Sequence, residues 1–294
     1  MKGRSLNELS NAASRIFDSD APGTLQGTHA LALGPGPASR VEDASKATST
    51  HVEGSRWSRG LASLLALAAE ALPQSCALCA ARSGARIVCE PCMNALPPLP
   101  PACPSCAQPS PDATACGACL KRPPTFSATL AACAYAFPLD RLVQGLKYGH
   151  RLALARPLGD ALAAVVLRAP ATYRRPDVLI ALPLAASRQR ERGFNQAMEI
   201  ARVVARRTAL PLAGGLVRTS AGPAQAGLPW AQRRRNAEGA FACRTGLRGL
   251  SVAVIDDVMT TGATLEAAAI ALRRAGAARV DAWVVARTLP RRES

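Results

Sequence analysis

Two groups of residues in this chain have the types and spacing to do chemistry. The first is a set of four C-x-x-C knuckles, Cys76/Cys79, Cys89/Cys92, Cys103/Cys106 and Cys116/Cys119, separated by nine, ten and nine residues. A C-x-x-C turn sets two thiolates on one side of a tight loop, and two such turns make a tetrahedral S4 cage, which Zn2+ accepts without redox chemistry. All eight cysteines are therefore expected ligands of two structural Zn2+ ions, since a closed S4 cage leaves no position for a substrate. Closing the short loop between neighbouring knuckles costs the least chain entropy, which favours pairing the first with the second and the third with the fourth. The spacing leaves interleaved pairing open.

The second group lies in Ser251-Val-Ala-Val-Ile-Asp256-Asp257-Val-Met-Thr260-Thr261-Gly262-Ala263-Thr264. This is an apolar strand, two carboxylates, then a hydroxyl- and glycine-bearing turn that opens a helix. Unpaired N–H groups of residues 260–264 and the positive end of the helix dipole suit a phosphate, and Gly262 permits close approach. Two adjacent acids repel that phosphate and suit hydroxyls. A ribose 5-phosphate presents both kinds of group at about this separation.

The elements that must position these residues follow from pattern. Strands are expected at Thr129–Phe137, Val178–Leu182, Ser251–Asp256 and Val280–Val285, and helices at Leu139–Tyr148, Leu152–Leu167, Asn195–Arg207 and Thr264–Ala275. Apolar strands alternating with amphipathic helices imply an α/β fold, a parallel sheet covered on both faces that binds ligands at the carboxyl ends of its strands. Residues 1–57 lack apolar periodicity and read as a disordered extension or a gene start placed too early. A short helix is expected at Leu61–Leu72 within 58–75, a double zinc ribbon at 76–122, and the α/β domain at 125–290.

Length and composition bound the answer further. A chain of 294 residues buries a full core without disulfide staples, and ten cysteines argue for metal ligation in a reducing, cytoplasmic setting. The most apolar early stretch, Leu61–Leu72, is shorter than the roughly 20 residues of a membrane span. The net charge is +16, yet residues 1–57 carry six basic and six acidic side chains. Residues 141–248 hold 19 basic and five acidic side chains, a net of +14. Such a surplus fits a polyphosphate or a nucleic acid, although 11 aromatic residues offer few stacking platforms for single strands. Cys133 and Cys243, alone in apolar company, read as buried small side chains. Arg206-Arg207 and Arg273-Arg274 read as solvated helix faces.

The Asp256-Asp257 and Thr260–Thr264 segment resembles the phosphoribosyl diphosphate (PRPP) motif of type I phosphoribosyltransferases. With the four knuckles, Leu146-Lys147-Tyr148, Pro183-Leu184, Arg188, Arg192-Gly-Phe-Asn-Gln196, Arg218-Thr219, Gln225, Leu228, Arg233, Arg235-Asn236 and Ala240-Phe241, residues 60–290 resemble the ComF/GntX family. The alanine and proline content of Gly222–Pro229 departs from the family's pattern for a mobile loop. The resemblance implies a type I phosphoribosyltransferase fold. It also implies Asp256 and Asp257 on the ribose hydroxyls, and Thr260, Thr261, Gly262, Ala263 and Thr264 on the 5-phosphate, with Mg2+ held mostly by the substrate. Positive groups placed where the leaving pyrophosphate gains charge would stabilise the transition state, and Lys147, Arg188, Arg192, Arg233 and Arg235 are the candidates. The family also implies a link to competence, so single-stranded DNA or the competence machinery is the alternative partner, with PRPP bound but not turned over.

Overall fold

The computed structural model describes residues 74–219 and 239–290. The extension at 1–57, the helix expected at Leu61–Leu72, and Arg233 and Arg235 lie outside the described residues.

The described residues open with an antiparallel pair, β1 (Gln74–Ser75) and β2 (Arg82–Gly84). Two short helices follow, α1 (Glu90–Asn94) and α2 (Gly117–Lys121). Cys89 and Cys116 are their N-caps, which puts Cys92 and Cys119 three residues on, on the same side of the first turn. The first knuckle of each pair is also a repeated unit. Ala80 and Ala107 both take left-handed φ, 60° and 55°, and donate to the carbonyls of Cys76 and Cys103 at 2.9 and 2.8 Å.

The second domain runs β3 (Thr129–Ala134), α3 (Leu139–Tyr148), a 3-10 turn at Leu152–Leu154, α4 (Ala155–Leu167), β4 (Val178–Ala181), α5 (Ala186–Arg192) and α6 (Gln196–Thr208). It continues through β5 (Leu212–Ala213), β6 (Leu216–Arg218), β7 (Phe241–Cys243), β8 (Ser251–Met259), α7 (Ala263–Arg274) and β9 (Arg279–Arg287). Among the described residues, five strands form a parallel sheet in the order β3-β9-β8-β4-β5, and β6 and β7 pair separately. The expected α/β class with an N-terminal double ribbon is what folds. Three of the expected elements differ by three residues at one end, and α5, β5, β6 and β7 come in addition to those expected. β3 stops at Ala134 instead of Phe137; the helix expected from Leu152 begins with the 3-10 turn; and β8 runs past the carboxylates to Met259, because Val258 and Met259 pair with Ala286 and Arg287 of β9.

The strand order fixes where a ligand can enter. After β4 the chain turns through α5 and α6 to β5 on one side, and after β8 it turns through α7 to β9 on the other. Right-handed crossovers in opposite directions put α7 on the opposite face from α4 and α6, and the connections diverge between β4 and β8. That divergence opens a crevice at the carboxyl ends of these two strands. The ribbon covers the sheet's outer edge: Thr129 N–H donates to the Pro104 carbonyl at 2.9 Å, Ala134 N–H to Pro97 at 3.0 Å, and the Thr129 hydroxyl to Ser105 at 2.6 Å. Edge strand β3 is thereby kept from pairing with other chains.

Helices α4 and α6 cross with their backbones close. A Cβ at Gly159 would lie 2.6 Å from Val203 Cβ, so the crossing tolerates no side chain there. Gly159→Ala is expected to cost about 1–3 kcal/mol by overpacking, measured by denaturant unfolding, and adding Val203→Ala should recover little of that loss, because alanine keeps the Cβ that clashes.

Candidate functional site

The carboxylates and the turn meet at this crevice. Ala181 pairs with Ile255, so Asp256 stands one residue beyond the end of β4. Adjacent strand residues face opposite ways. Asp257 is 3% exposed, and its Oδ2 forms an ion pair with Lys147 Nζ at 2.7 Å. Lys147 is delivered by α3, where Leu139, Leu142, Val143 and Leu146 form the buried stripe and Lys147 follows its last member. Asp256 is half-buried, and its Oδ1 accepts from Asp257 N–H at 2.8 Å. Burial and the neighbouring Asp257 charge hold its carboxyl well above the ordinary range, against a smaller opposing pull from Lys147.

Beyond β8 the turn is built on Gly262, whose φ is 82° and which caps α7. A Cβ there would fall 2.7 Å from Met259 Cε. Thr260, Thr261, Ala263 and Thr264 are exposed around it, and the Thr261 hydroxyl accepts from Ala263 N–H at 3.4 Å. On the far side, Thr125 donates its N–H and hydroxyl to the two oxygens of Glu266 at 2.9 and 2.7 Å, clamping the first turn of α7 to the end of the ribbon.

The Arg192-Gly-Phe-Asn-Gln196 segment separates into structural and unsatisfied parts. Gly193 ends α5 in the left-handed region at φ 74°. Asn195 caps α6, accepting from Ala197 and Met198 N–H, and ties it to β4 by donating to the Leu182 carbonyl at 3.0 Å. Phe194 meets His150 edge-on, with ring centroids 6.4 Å apart. Arg192 is only 5% exposed, with its guanidinium 4.9 Å from the Tyr148 ring centre. Its Nε and Nη1, and Gln196 Oε1, have no hydrogen-bond partner among the described residues.

Arg188 is exposed on α5. Burial and the nearby Arg188 charge both lower the pKa of Arg218, which carries the family resemblance but was not among the expected site residues, and its Nε likewise has no partner among the described residues. Two neighbouring cations with no anion on them among the described residues make a candidate anion site. The other arginine pairs do structural work, Arg207 bridging to Asp160 at 2.6 Å and Arg273 donating to the Ala277 carbonyl at 2.9 Å. Cys133 is buried, its thiol pushed up to about 11 by that burial, and is no nucleophile in this state.

The knuckles pair as loop entropy favours: Cys76, Cys79, Cys89 and Cys92 form one group, and Cys103, Cys106, Cys116 and Cys119 the other, each with its sulfurs within 4.8 Å of one another. Cys79 and Cys89 sulfurs are 3.7 Å apart, as are those of Cys106 and Cys116. That is the edge of a tetrahedron with Zn–S bonds of about 2.3 Å and far too long for a disulfide. Burial pushes the Cys76 thiol up, but backbone N–H groups of Cys89 and Leu78 pointing at its sulfur bring it down to about 6. Both groups fit structural Zn2+.

Fold and cages together define an α/β domain with a five-stranded parallel sheet that carries an N-terminal double zinc ribbon. Residues 67–120 match the family model of the double zinc ribbon domain. The chain is 36% identical over 158 residues to DNA utilization protein YhgH of Escherichia coli O157:H7, covering 53% of this chain and 70% of that protein. It is 32% identical over 159 residues to Competence protein F of Haemophilus influenzae, covering 52% and 69%. The chain belongs to the ComF/GntX family. A solved allosteric regulatory enzyme of purine biosynthesis is similar over 45% of this chain but about a quarter of its own length (26%), at 20% identity and a TM-score of 0.32, a likeness that carries no argument about activity. Among the described residues, no helix is long and apolar enough to cross a membrane.

Removing one partner of a buried ion pair strands the other charge. Lys147→Met is therefore expected to destabilise the fold by about 3 kcal/mol in denaturant unfolding, with Lys147→Met/Asp257→Asn recovering much of it.

Proposed function

We propose that the protein binds PRPP with Mg2+ at the crevice between β4 and β8 and transfers its phosphoribosyl group to an acceptor. The observation that carries this reading is the buried guanidinium of Arg192, unmatched by any anion among the described residues and one α3 residue away from the Lys147–Asp257 pair, through Tyr148. A charge buried at this cost needs an anionic ligand.

In the reaction the bond from the anomeric carbon to pyrophosphate breaks, and its electron pair leaves on the pyrophosphate oxygen. An acceptor nucleophile bonds to that carbon and gives up its proton. Asp256 and Asp257 would orient the ribose hydroxyls, and the N–H groups of Thr260–Thr264 the 5-phosphate. Lys147, Arg188 and Arg192, with Arg218 beside Arg188, would meet the charge that grows on the leaving group. Mg2+ would further neutralise the pyrophosphate, and the two carboxylates supply hard oxygens that suit it. The thiols of the cages call for a reducing, cytoplasmic setting.

The names of the two relatives favour a second reading, contact with single-stranded DNA or the competence machinery through the +14 segment. Steeply salt-dependent DNA binding that disappears on deleting the ribbon, with no PRPP turnover, would favour that reading.

Asp256 supplies the sharpest test. Its folded-state pKa is raised, so its contribution to stability is present below the unfolded pKa and lost as pH rises through the folded value. Ionising the group in the folded protein therefore costs stability. Asp256→Asn is expected to stabilise the free protein by about 1 kcal/mol while weakening PRPP–Mg2+ binding at least tenfold by calorimetry. Wild-type affinity should fall as pH drops through the raised pKa, because the ligand needs the ionised carboxylate. Unchanged PRPP affinity in Asp256→Asn contradicts the proposal.

A further inference from the structure

The residue that joins the ribbon to the phosphate turn is Arg287, at the end of β9 and 3% exposed. Its Nε donates to the Cys106 carbonyl at 2.8 Å, and its Nη1 to the carbonyls of Met259 at 2.9 Å, Thr288 at 3.1 Å and Thr260. One planar guanidinium thus holds a backbone carbonyl of the second cysteine cage and the two carbonyls that lead into the turn. Around it, Gln108, two residues past the cage cysteine, donates to the Thr288 carbonyl at 3.2 Å.

The consequence for the turn follows from the peptide bond. In a trans peptide the N–H points opposite to the carbonyl, and the plane is rigid. With the carbonyls of Met259 and Thr260 drawn onto Arg287, the N–H groups of Thr260 and Thr261 are turned to the other side. Neither of those N–H groups is part of the regular hydrogen bonding of α7, which starts at Ala263. A cage of four thiolates closed on Zn2+ carries a charge of −2, and Arg287 is the buried cation on its flank. Arginine is suited to this because its fork reaches acceptors in two directions, whereas a lysine ammonium acts as a point charge.

We propose that Arg287 is a positioning residue for the phosphate-binding turn and makes the turn's geometry depend on the closed state of the Cys103/Cys106/Cys116/Cys119 cage. Metal loss at that cage frees the Cys106 peptide, Arg287 loses one anchor, and the N–H groups of Thr260 and Thr261 lose their aim. The Cys76/Cys79/Cys89/Cys92 cage has no such connection through Arg287. The inference rests on the reading of the turn as a phosphate site, and its test also has a readout that does not use that ligand.

The experiment compares the zinc-loaded full chain with Arg287→Gln, Arg287→Lys, Cys116→Ser/Cys119→Ser, and the latter pair combined with Arg287→Gln. Hydrogen exchange of the amides at 259–264, zinc content, and PRPP–Mg2+ affinity are measured on each. Arg287→Gln should keep two zinc ions, exchange faster at 259–264 and bind PRPP about tenfold more weakly, the scale of lost outer-shell support. Arg287→Lys should restore part of the protection but no longer respond to the cage. Opening the second cage should speed exchange of the turn in wild type and add nothing in Arg287→Gln. If the cysteine variant does not fold, graded chelation of the wild type replaces it. Wild-type exchange and affinity in Arg287→Gln, or independent effects of cage and arginine that multiply, would overturn the proposal. A wild type that ignores PRPP refutes the phosphoribosyl reading alone, and exchange of the turn still decides the role of Arg287.

Discussion

A carboxylate buried at the end of a parallel strand has to be matched by a cation, and the contact of Asp257 with Lys147 organises this end of the molecule. It ties α3, the first helix of the α/β domain, to β8, the strand at its centre. It also leaves Asp256, the preceding carboxylate, without an ion-pair partner of its own among the described residues. Asp256 is consequently held above its ordinary pKa by burial and by its neighbour. The protein thus keeps one satisfied and one unsatisfied acid side by side at the topological switch, an arrangement that stabilises the scaffold through one and leaves the other for a ligand.

The same division recurs among the cations. Arg207 and Arg273 satisfy structural acceptors, and Arg287 satisfies four carbonyls at once. Arg192 and Arg218 retain unpartnered nitrogens. The surplus of positive charge in residues 141–248 is therefore not a uniform surface. Part of it is absorbed by the fold, and part is held at the crevice where nothing among the described residues neutralises it.

What could be read from sequence was what short-range spacing determines. The cages paired as the loop lengths favoured because each is closed by adjacent knuckles. Helix α3 matched its apolar stripe from Leu139 to Tyr148. Asn195, expected as the first residue of a helix, is its cap. Strands were harder, because their ends depend on partners far away: β8 extends through Asp256 and Asp257 only because β9 extends beside it. Helix α5, Ala-Ser-Arg-Gln-Arg-Glu-Arg, has no apolar period to reveal it, and β5, β6 and β7 are too short to show alternation. Arg287 carried no local signal at all, since its importance comes from carbonyls 27 and 181 residues away. A buried arginine at the end of a central strand, next to the carboxyl-end crevice, is the pattern that would have found it.

The central claim is that one crevice holds the two ends of PRPP on different groups, and phosphorus-31 resonance reads both ends separately. With zinc-loaded protein and Mg2+, the 5-phosphate and pyrophosphate signals of PRPP should both shift. Arg192→Gln should abolish the shift of the pyrophosphate signals while sparing the 5-phosphate, and Gly262→Val, which cannot hold the turn's left-handed φ of 82°, should do the reverse. Signals that do not move with saturating protein, or that respond identically to both substitutions, would contradict the account.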